Sequence, residues 1–310
     1  MDVAGLEALR AVGTHGGVTG AAAALHLTPS AVSQRLAALQ RGVDVPLTER
    51  VGRGLRLTAA GEAVAAAALD VAVALERARA AADELRVRPT GRVRVSAFQS
   101  AAQLLLPGLL ARTAALDGVV VECSDEDVAL DEFPALTDRI DVVVAHRPDA
   151  GFAWPAGVRV VPLLREPLDL AVPRDHPLAG RAGVDPAELA GEAWVSVREG
   201  FPVATVLDAL AGAEGPRVVH RINDFHVAAA LVEAGHGVAL LPRYTFGSEP
   251  GVRLVPLEGV RAGRRIDALL RPDRAERVVV RRVVDELVAL ADEIAGQPAS
   301  GAGAGDRATR

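Results

Sequence analysis

Ser30, Ser33 and Gln34 lie in the stretch Thr28-Pro29-Ser30-Ala31-Val32-Ser33-Gln34-Arg35-Leu36-Ala37-Ala38-Leu39-Gln40. Short hydroxyls and an amide on one helix face can hydrogen-bond to base edges in the DNA major groove, which is wide enough to admit an α-helix. Thr28 suits the N-cap of such a helix, and Pro29 fits its first position, where a missing N–H costs nothing. At 100° per residue Val32, Leu36 and Leu39 share a face to be buried, which leaves Ser30, Gln34 and Ala37 to solvent. Arg35, at the edge of the buried face, would lay its stem on apolar surface and reach a phosphate. The plainer reading of these residues is an alanine-rich helical hairpin.

A second set of chemically able residues follows apolar strands further along the chain: Gln99-Ser100, His146-Arg147, Arg198-Glu199 and Asn223-Asp224-Phe225. Open α/β sheets bind ligands beyond the carboxyl ends of their strands. Gln99 and Ser100 also begin a helical pattern, so their N–H groups and the helix dipole would favour an anion. Arg147 and Arg198 add positive charge, Asp224 could hold an amino group and Phe225 an apolar portion. Gln99, Ser100, His146, Arg147, Arg198, Asp224 and Phe225 are therefore the expected contacts of a small anionic or zwitterionic molecule. Ordinary solvated loop residues, with the arginines paired to neighbouring acids, are the alternative.

Chemistry of other kinds finds little footing, and the chain reads as a non-enzyme without cofactor or metal. Seven histidines are scattered, with no HExxH and no His/Cys cluster at metal spacing. No GxSxG elbow, P-loop or GxGxxG opens a helix after a strand. Asp125-Glu126-Asp127 with Asp131-Glu132 reads as a solvated loop face. Cys123, the single cysteine, lies in the apolar run Val119-Val120-Val121-Glu122-Cys123 and is expected to be a buried strand residue.

The elements that would position these residues are legible from periodicity. Gly20–Leu27 and Ser30–Gln40 form a helix pair, preceded by the apolar pattern Val3, Leu6, Leu9, Val12. Arg50-Val51-Gly52-Arg53-Gly54-Leu55-Arg56-Leu57-Thr58 reads as a strand, a glycine turn carrying arginine, and a second strand. Residues 1–60 are thus a winged helix-turn-helix, with Arg53 directed to the minor groove and Arg56 among its DNA-facing cations. Gly61–Leu85 is helical, and Val64, Ala68, Val71, Leu75, Ala78, Ala82 and Leu85 recur as a heptad seam for a dimer. Pro89-Thr90-Gly91 closes this linker of residues 61–90.

From Arg92 onward strands and helices alternate, which predicts parallel α/β packing. Strands are expected at Val119–Glu122, Asp141–Ala145, Val158–Leu163, Leu168–Val172, Ala193–Val197, Val218–Ile222, Gly237–Leu241 and Arg264–Leu270, with helices at Pro202–Leu210, Phe225–Ala234 and Val278–Ala295. The Pro/Gly-rich segment Pro173–Gly191 suggests a crossover into a second lobe. The boundaries are residues 91–163 and 264–295 for lobe 1 and 164–263 for lobe 2, with a Gly/Ala/Ser-rich tail of 296–310 expected to be disordered.

The N-terminal motifs together resemble the LysR-type transcriptional regulators: Ala21-Ala22, Ala31-Val32-Ser33, Pro46-Leu47-Thr48-Glu49-Arg50 and Leu57-Thr58-Ala59-Ala60-Gly61 occur in the family's order. Two departures stand out. Pro29 replaces a glutamine that can touch DNA in many members, and Thr48 replaces a core phenylalanine, which implies an underpacked wing. Weaker phrases, Leu168-Asp169-Leu170-Ala171-Val172-Pro173-Arg174-Asp175-His176-Pro177-Leu178 and Glu233-Ala234-Gly235-His236-Gly237-Val238-Ala239-Leu240-Leu241-Pro242, carry the resemblance to about residue 294. It implies an effector domain of two α/β lobes like the periplasmic solute-binding proteins, with an effector contact at the Gln99-Ser100 junction. It also implies a homodimer or homotetramer on double-stranded DNA, with RNA polymerase as a partner. The alternative is a constitutive DNA-binding protein whose body is only an assembly scaffold.

Charge agrees with this division. The 310 residues carry −6 overall, but residues 1–60 hold six arginines against four acids, about +2, leaving about −8 for the rest. So modest a surplus asks two copies to share the phosphate contacts. With no secretion signal at the N-terminus and no long uninterrupted apolar run, the expected location is cytoplasmic, away from membranes. The chain has no lysine.

Overall fold

The computed structural model describes residues 2–52, 54–83, 90–211 and 215–296. Arg53, Leu85 and the tail beyond Gly296, all singled out above, lie outside the described residues. The N-terminal unit comprises α1 (Val3–His15), α2 (Val18–Ala24), α3 (Pro29–Gln40) and the hairpin β1 (Thr48–Val51) with β2 (Gly54–Leu57). Thr28 caps α3 by accepting from the Ala31 amide at 3.2 Å. Val32, Leu36 and Leu39 are buried against Leu6, Leu9, Ala21 and Ala22, as the 3.6-residue period requires. The first helix of the pair begins two residues earlier and ends three earlier than its apolar pattern suggested, because His26 takes a positive φ of 52° and stops the turn.

The Leu-Thr-x-x-Gly exit has a steric explanation. Thr58 Oγ1 donates to the Pro46 carbonyl at 2.7 Å and accepts from the Gly61 amide at 3.0 Å, which starts α4 (Ala59–Asp83) against the wing. A Cβ on Gly61 would stand 1.9 Å from the Leu47 carbonyl oxygen, so no other residue fits there. Leu47 supplies the buried side chain of the wing, and Thr48 borders a groove of about 240 Å³ with Leu9, Leu36 and Leu55, in line with the loose packing expected there.

Along α4, Val64 and Ala68 pack into the N-terminal core, whereas Val71, Leu75, Ala78 and Ala82 face outward. Leu75 is 38 % exposed. The opposite face lies on the body, where Ala80 is buried and Arg77 meets Glu276 at 3.2 Å.

The body begins with β3 (Gly91–Ala97), α5 (Gln99–Thr113), β4 (Val119–Asp125), α6 (Phe133–Leu136) and β5 (Val142–Pro148). The long strand β6 (Arg159–Pro173) leads to β7 (Ala193–Ser196), α7 (Pro202–Ala211), β8 (Arg217–Arg221), α8 (Phe225–Glu233), β9 (Ala239–Pro242), α9 (Arg243–Phe246) and β10 (Val252–Val255). The chain returns through β11 (Gly263–Leu270), α10 (Pro272–Ala275) and α11 (Val278–Gly296).

Two cores result. One gathers Val93, Val95, Leu105, Val142–Val144, Ile266 and Leu287, and the other Leu168, Leu170, Val195, Leu207, Val232 and Leu241. The strand order β10-β6-β11-β5-β3-β4, with β9 on β6, makes the sheet mixed. The β3–β4, β3–β5 and β7–β8 pairs are parallel, but every pair involving β6 or β11 is antiparallel, which corrects the expectation of parallel packing. The crossover also differs. The two strands expected at Val158–Leu163 and Leu168–Val172 are one, whose first half pairs with β11 in one lobe and whose second half pairs with β9 and β10 in the other. The chain therefore changes lobe at Glu166-Pro167, before the Pro/Gly-rich segment. Cys123 is exposed, against expectation, because β4 is the sheet's edge strand.

Candidate ligand cleft and DNA-binding face

The recognition face is built as its spacing dictates. Ser30, Ser33, Gln34 and Ala37 are exposed on α3, Arg35 is half-buried at the margin, and Arg56 is exposed on β2. Ser30 Oγ lies 3.0 Å from Thr28 Oγ1, so the cap and the first polar group of the helix are held together.

Between the lobes is a cavity of about 20 Å³, room for roughly one water. It is lined by Phe98, Gln99, Ser100, Asp127, His146, Val197, Phe201, Val203, Asn223, Phe225 and Arg264. Of the expected contacts, Gln99, Ser100, His146 and Phe225 meet here. Arg147 does not: it follows His146 on β5, so the pleat turns it to the other face, where its Nε donates to Asp267 at 2.6 Å. Arg198 is exposed at the rim, its guanidinium 5.4 Å from the Phe201 ring centre. Asp224 is the N-cap of α8 and accepts from the His226 and Val227 amides, leaving less of its carboxylate for a ligand than expected.

Polar contacts hold the cleft shut. His226 Nε2 and Gln103 Oε1 are 2.9 Å apart across it, and Asn223 Nδ2 donates to Asp127 at 3.4 Å. Gln99 hydrogen-bonds to Asp224; burial raises the Asp224 pKa, but this bond and the two amides outweigh it and the net shift is downward.

The centre of the cleft was not anticipated from the sequence. Arg264 and Glu166 are each about 1 % exposed, with Nη2 to Oε2 at 2.7 Å, and Arg264 also donates to Ser100 Oγ at 2.6 Å. The guanidinium lies 4.8 Å from the Phe98 ring centre and 5.6 Å from that of Phe225. No local signal marked them: Glu166 falls between two expected strands, beside Arg165 and Pro167, and Arg264 opens a strand beside Arg265.

His146 is 3 % exposed, and neither ring nitrogen has a hydrogen-bond partner. Burial, and then the Arg264 charge, hold its pKa well below the ordinary value, so the imidazole is neutral. Phe98, which offers no side-chain cap, stands at the N-cap of α5, so that helix begins at the cavity with its dipole uncompensated by a cap. Among the described residues no His, Cys, Asp or Glu group could hold a metal ion.

Two family models match. Residues 3–62 fit the bacterial regulatory helix-turn-helix protein of the LysR family, and residues 86–292 fit the LysR substrate binding domain. A relative from Mycobacterium avium, described as a probable hydrogen peroxide-inducible genes activator, is 30 % identical over 280 residues, 87 % of this chain and 88 % of that protein. Among solved structures, a full-length OxyR variant from Pseudomonas aeruginosa superposes with a TM-score of 0.68 at 20 % identity, covering 97 % of this chain and 99 % of that one. Full-length CbnR complexed with its target DNA gives 0.53 at 24 % identity, covering 94 % and 100 %. The chain belongs to the LysR-type transcriptional regulators: a DNA-binding regulator with an N-terminal helix-turn-helix and a two-lobed effector-binding domain. No helix among the described residues is long and apolar enough to cross a membrane.

Proposed function

We propose that the chain binds its operator as a homodimer, or a dimer of dimers, and changes its grip when a small anionic or zwitterionic molecule enters the interlobe cleft. The observation that carries this reading is the unpartnered, neutral His146 on the wall of a small interlobe cavity at which α5 begins. Arg264 is already neutralised by Glu166, so the α5 amides at Gln99 and Ser100 are the electropositive groups left for a carboxylate. Asp127, which also lines the cavity, suits an ammonium group.

The relative described as a probable hydrogen peroxide-inducible genes activator raises a second reading, an oxidant as the signal. Here the chain has one cysteine, exposed on β4 and absent from the cavity lining, so no disulfide can form within one subunit. A bound molecule is therefore the signal we favour.

On DNA, Ser30, Ser33 and Gln34 would read bases from the major groove, with Arg35 and Arg56 on phosphates. Arg53 is assigned to the minor groove on its sequence position alone. The outward seam Val71, Leu75, Ala78, Ala82 would join two copies. A dimer bound beside a promoter in the cytoplasm would meet RNA polymerase.

The test is a metabolite screen by melting temperature on the full chain, since a ligand at 100 times its Kd stabilises by about 2.7 kcal/mol. A hit should lose its effect in the Ser100→Val, Arg198→Ala double variant. A hit unaffected by that variant would place the pocket elsewhere.

A further inference from the structure

The DNA-binding unit meets the body at Asp138. Its carboxylate is 6 % exposed and takes Arg10 Nη1 on Oδ1 at 2.7 Å and His15 Nε2 on Oδ2 at 2.8 Å, both from α1. Arg271 of the body approaches the same Oδ1 at 3.5 Å while its fork is spent on Asp273, at 2.6 and 2.7 Å. Around this point the two units are separated by a cavity of about 990 Å³, lined by Val12, Gly13 and Leu57 on one side and Pro134, Thr137 and Pro155 on the other. Besides Asp138, Glu7 of α1 attracts Arg271 of the body electrostatically, and α4 supplies the covalent connection and packs on α10. An ionic contact of this kind also has discrete made and broken states.

The same residue is mechanically close to the ligand cleft. Asp138 follows α6, whose Phe133 is fully buried and stands edge-on to His146 at 5.5 Å and to Phe98 at 6.5 Å between ring centres. His146 and Phe98 line the cavity. One turn of helix thus separates a ring touching the cleft wall from the carboxylate that holds α1. Thr137 Oγ1 donates to the Pro134 carbonyl at 2.7 Å and the Ile140 amide to the Leu136 carbonyl at 3.0 Å, so the segment moves as a unit.

We infer that Asp138 is a positioning residue which sets the angle of the DNA-binding unit on the body, and that α6 transmits changes in the cleft to it through Phe133. The second half rests on the cleft being the effector site; the first does not.

The experiment uses the full chain on an operator selected from random DNA. Arg10→Gln, Asp138→Asn and their double variant are compared for DNA bend angle and affinity, with His15→Gln as a further probe on the DNA-binding side should Asp138→Asn fail to fold. Both single variants should shift the bend angle and alter affinity by roughly threefold or more, Asp138→Asn the more because it also releases His15, and the double variant should match Asp138→Asn, because Arg10 has no carboxylate left to lose there. Melting of Arg10→Gln should stay close to that of the parent chain. An unchanged bend angle in Arg10→Gln, or additive effects in the double variant, overturns the positioning role.

For the second half, Phe133→Leu keeps Asp138 in place but removes the ring edge. Amide exchange over Arg10–His15 should then rise several-fold. Unaltered exchange there would refute transmission through α6 while leaving the cleft as effector site open to its own test.

Discussion

Phe133 and His146 meet edge to face, 5.5 Å between ring centres, and that pair joins the wall of the ligand cavity to the helix turn carrying Asp138. Neither ring has much freedom: Phe133 is fully buried, and His146 is packed against Phe98 at 4.3 Å on its other side. A ligand that displaced the imidazole would have to move its neighbours, because close-packed interiors transmit displacement instead of absorbing it.

The neutral state of His146 makes a pH prediction. Its native pKa is depressed, so below about 6.5 the unfolded chain binds a proton that the native chain does not. The associated stability is complete above the unfolded value and is lost as pH falls, by up to about 1.36 kcal/mol per pH unit. Urea unfolding between pH 7.5 and 5, pH values set by that window, should show this slope in the parent chain and a flatter one in His146→Phe. Equal slopes would mean that the native imidazole is hydrated and titrates normally.

The Arg264–Glu166 pair should behave as a buried ion pair. Arg264→Met alone leaves a carboxylate without its cation and should cost about 3–5 kcal/mol by denaturant titration. Adding Glu166→Leu should restore most of the loss, since the pair's own desolvation is then also removed. If the double variant is no more stable than the single, the pair's worth lies in its bonds to Ser100 and its contacts with Phe98 rather than in charge balance.

For the recognition helix, Gln34→Ala should relax specificity at one operator position and cost about 1–3 kcal/mol on the cognate site. Arg35→Ala should weaken all sequences alike and flatten the salt dependence by about one unit. Binding isotherms at several salt concentrations separate the two effects, and finding them interchanged would reverse the roles.

Leu75 tests the linker. With its side chain outward on α4, Leu75→Glu would set two carboxylates in one apolar seam and should split the dimer, with DNA affinity falling alongside because half-sites need two copies at fixed spacing. Sedimentation of a micromolar sample that still ran as a dimer would move the interface elsewhere.

What the sequence disclosed depended on whether its signal was local. The turn, cap and period of α3 are local, and they placed Ser30, Ser33 and Gln34 outward without tertiary information. Gly61 was visible as a motif, but its reason, the Leu47 carbonyl 1.9 Å from a would-be Cβ, is a contact between segments 14 residues apart in sequence. The cleft was half legible. Strand ends pointed to Ser100, His146 and Phe225, yet taking His146 and Arg147 together ignored that successive strand residues face opposite ways. Arg264 and Glu166 are 98 residues apart, and the register that sets them side by side follows from β6 crossing both lobes. Cys123 was misplaced because an apolar run looks the same at a sheet's edge as at its centre.

The claim that this is a ligand-responsive regulator, and not a constitutive DNA-binding scaffold, is tested most directly by one footprint. A selected operator is probed with the parent chain and with the Ser100→Val, Arg198→Ala variant, each with and without a small-molecule extract of the source cells. The extract should change the protected region or its affinity for the parent chain only, while both proteins protect the operator equally without it. Footprints indifferent to the extract, or a response undiminished in the variant, would contradict it.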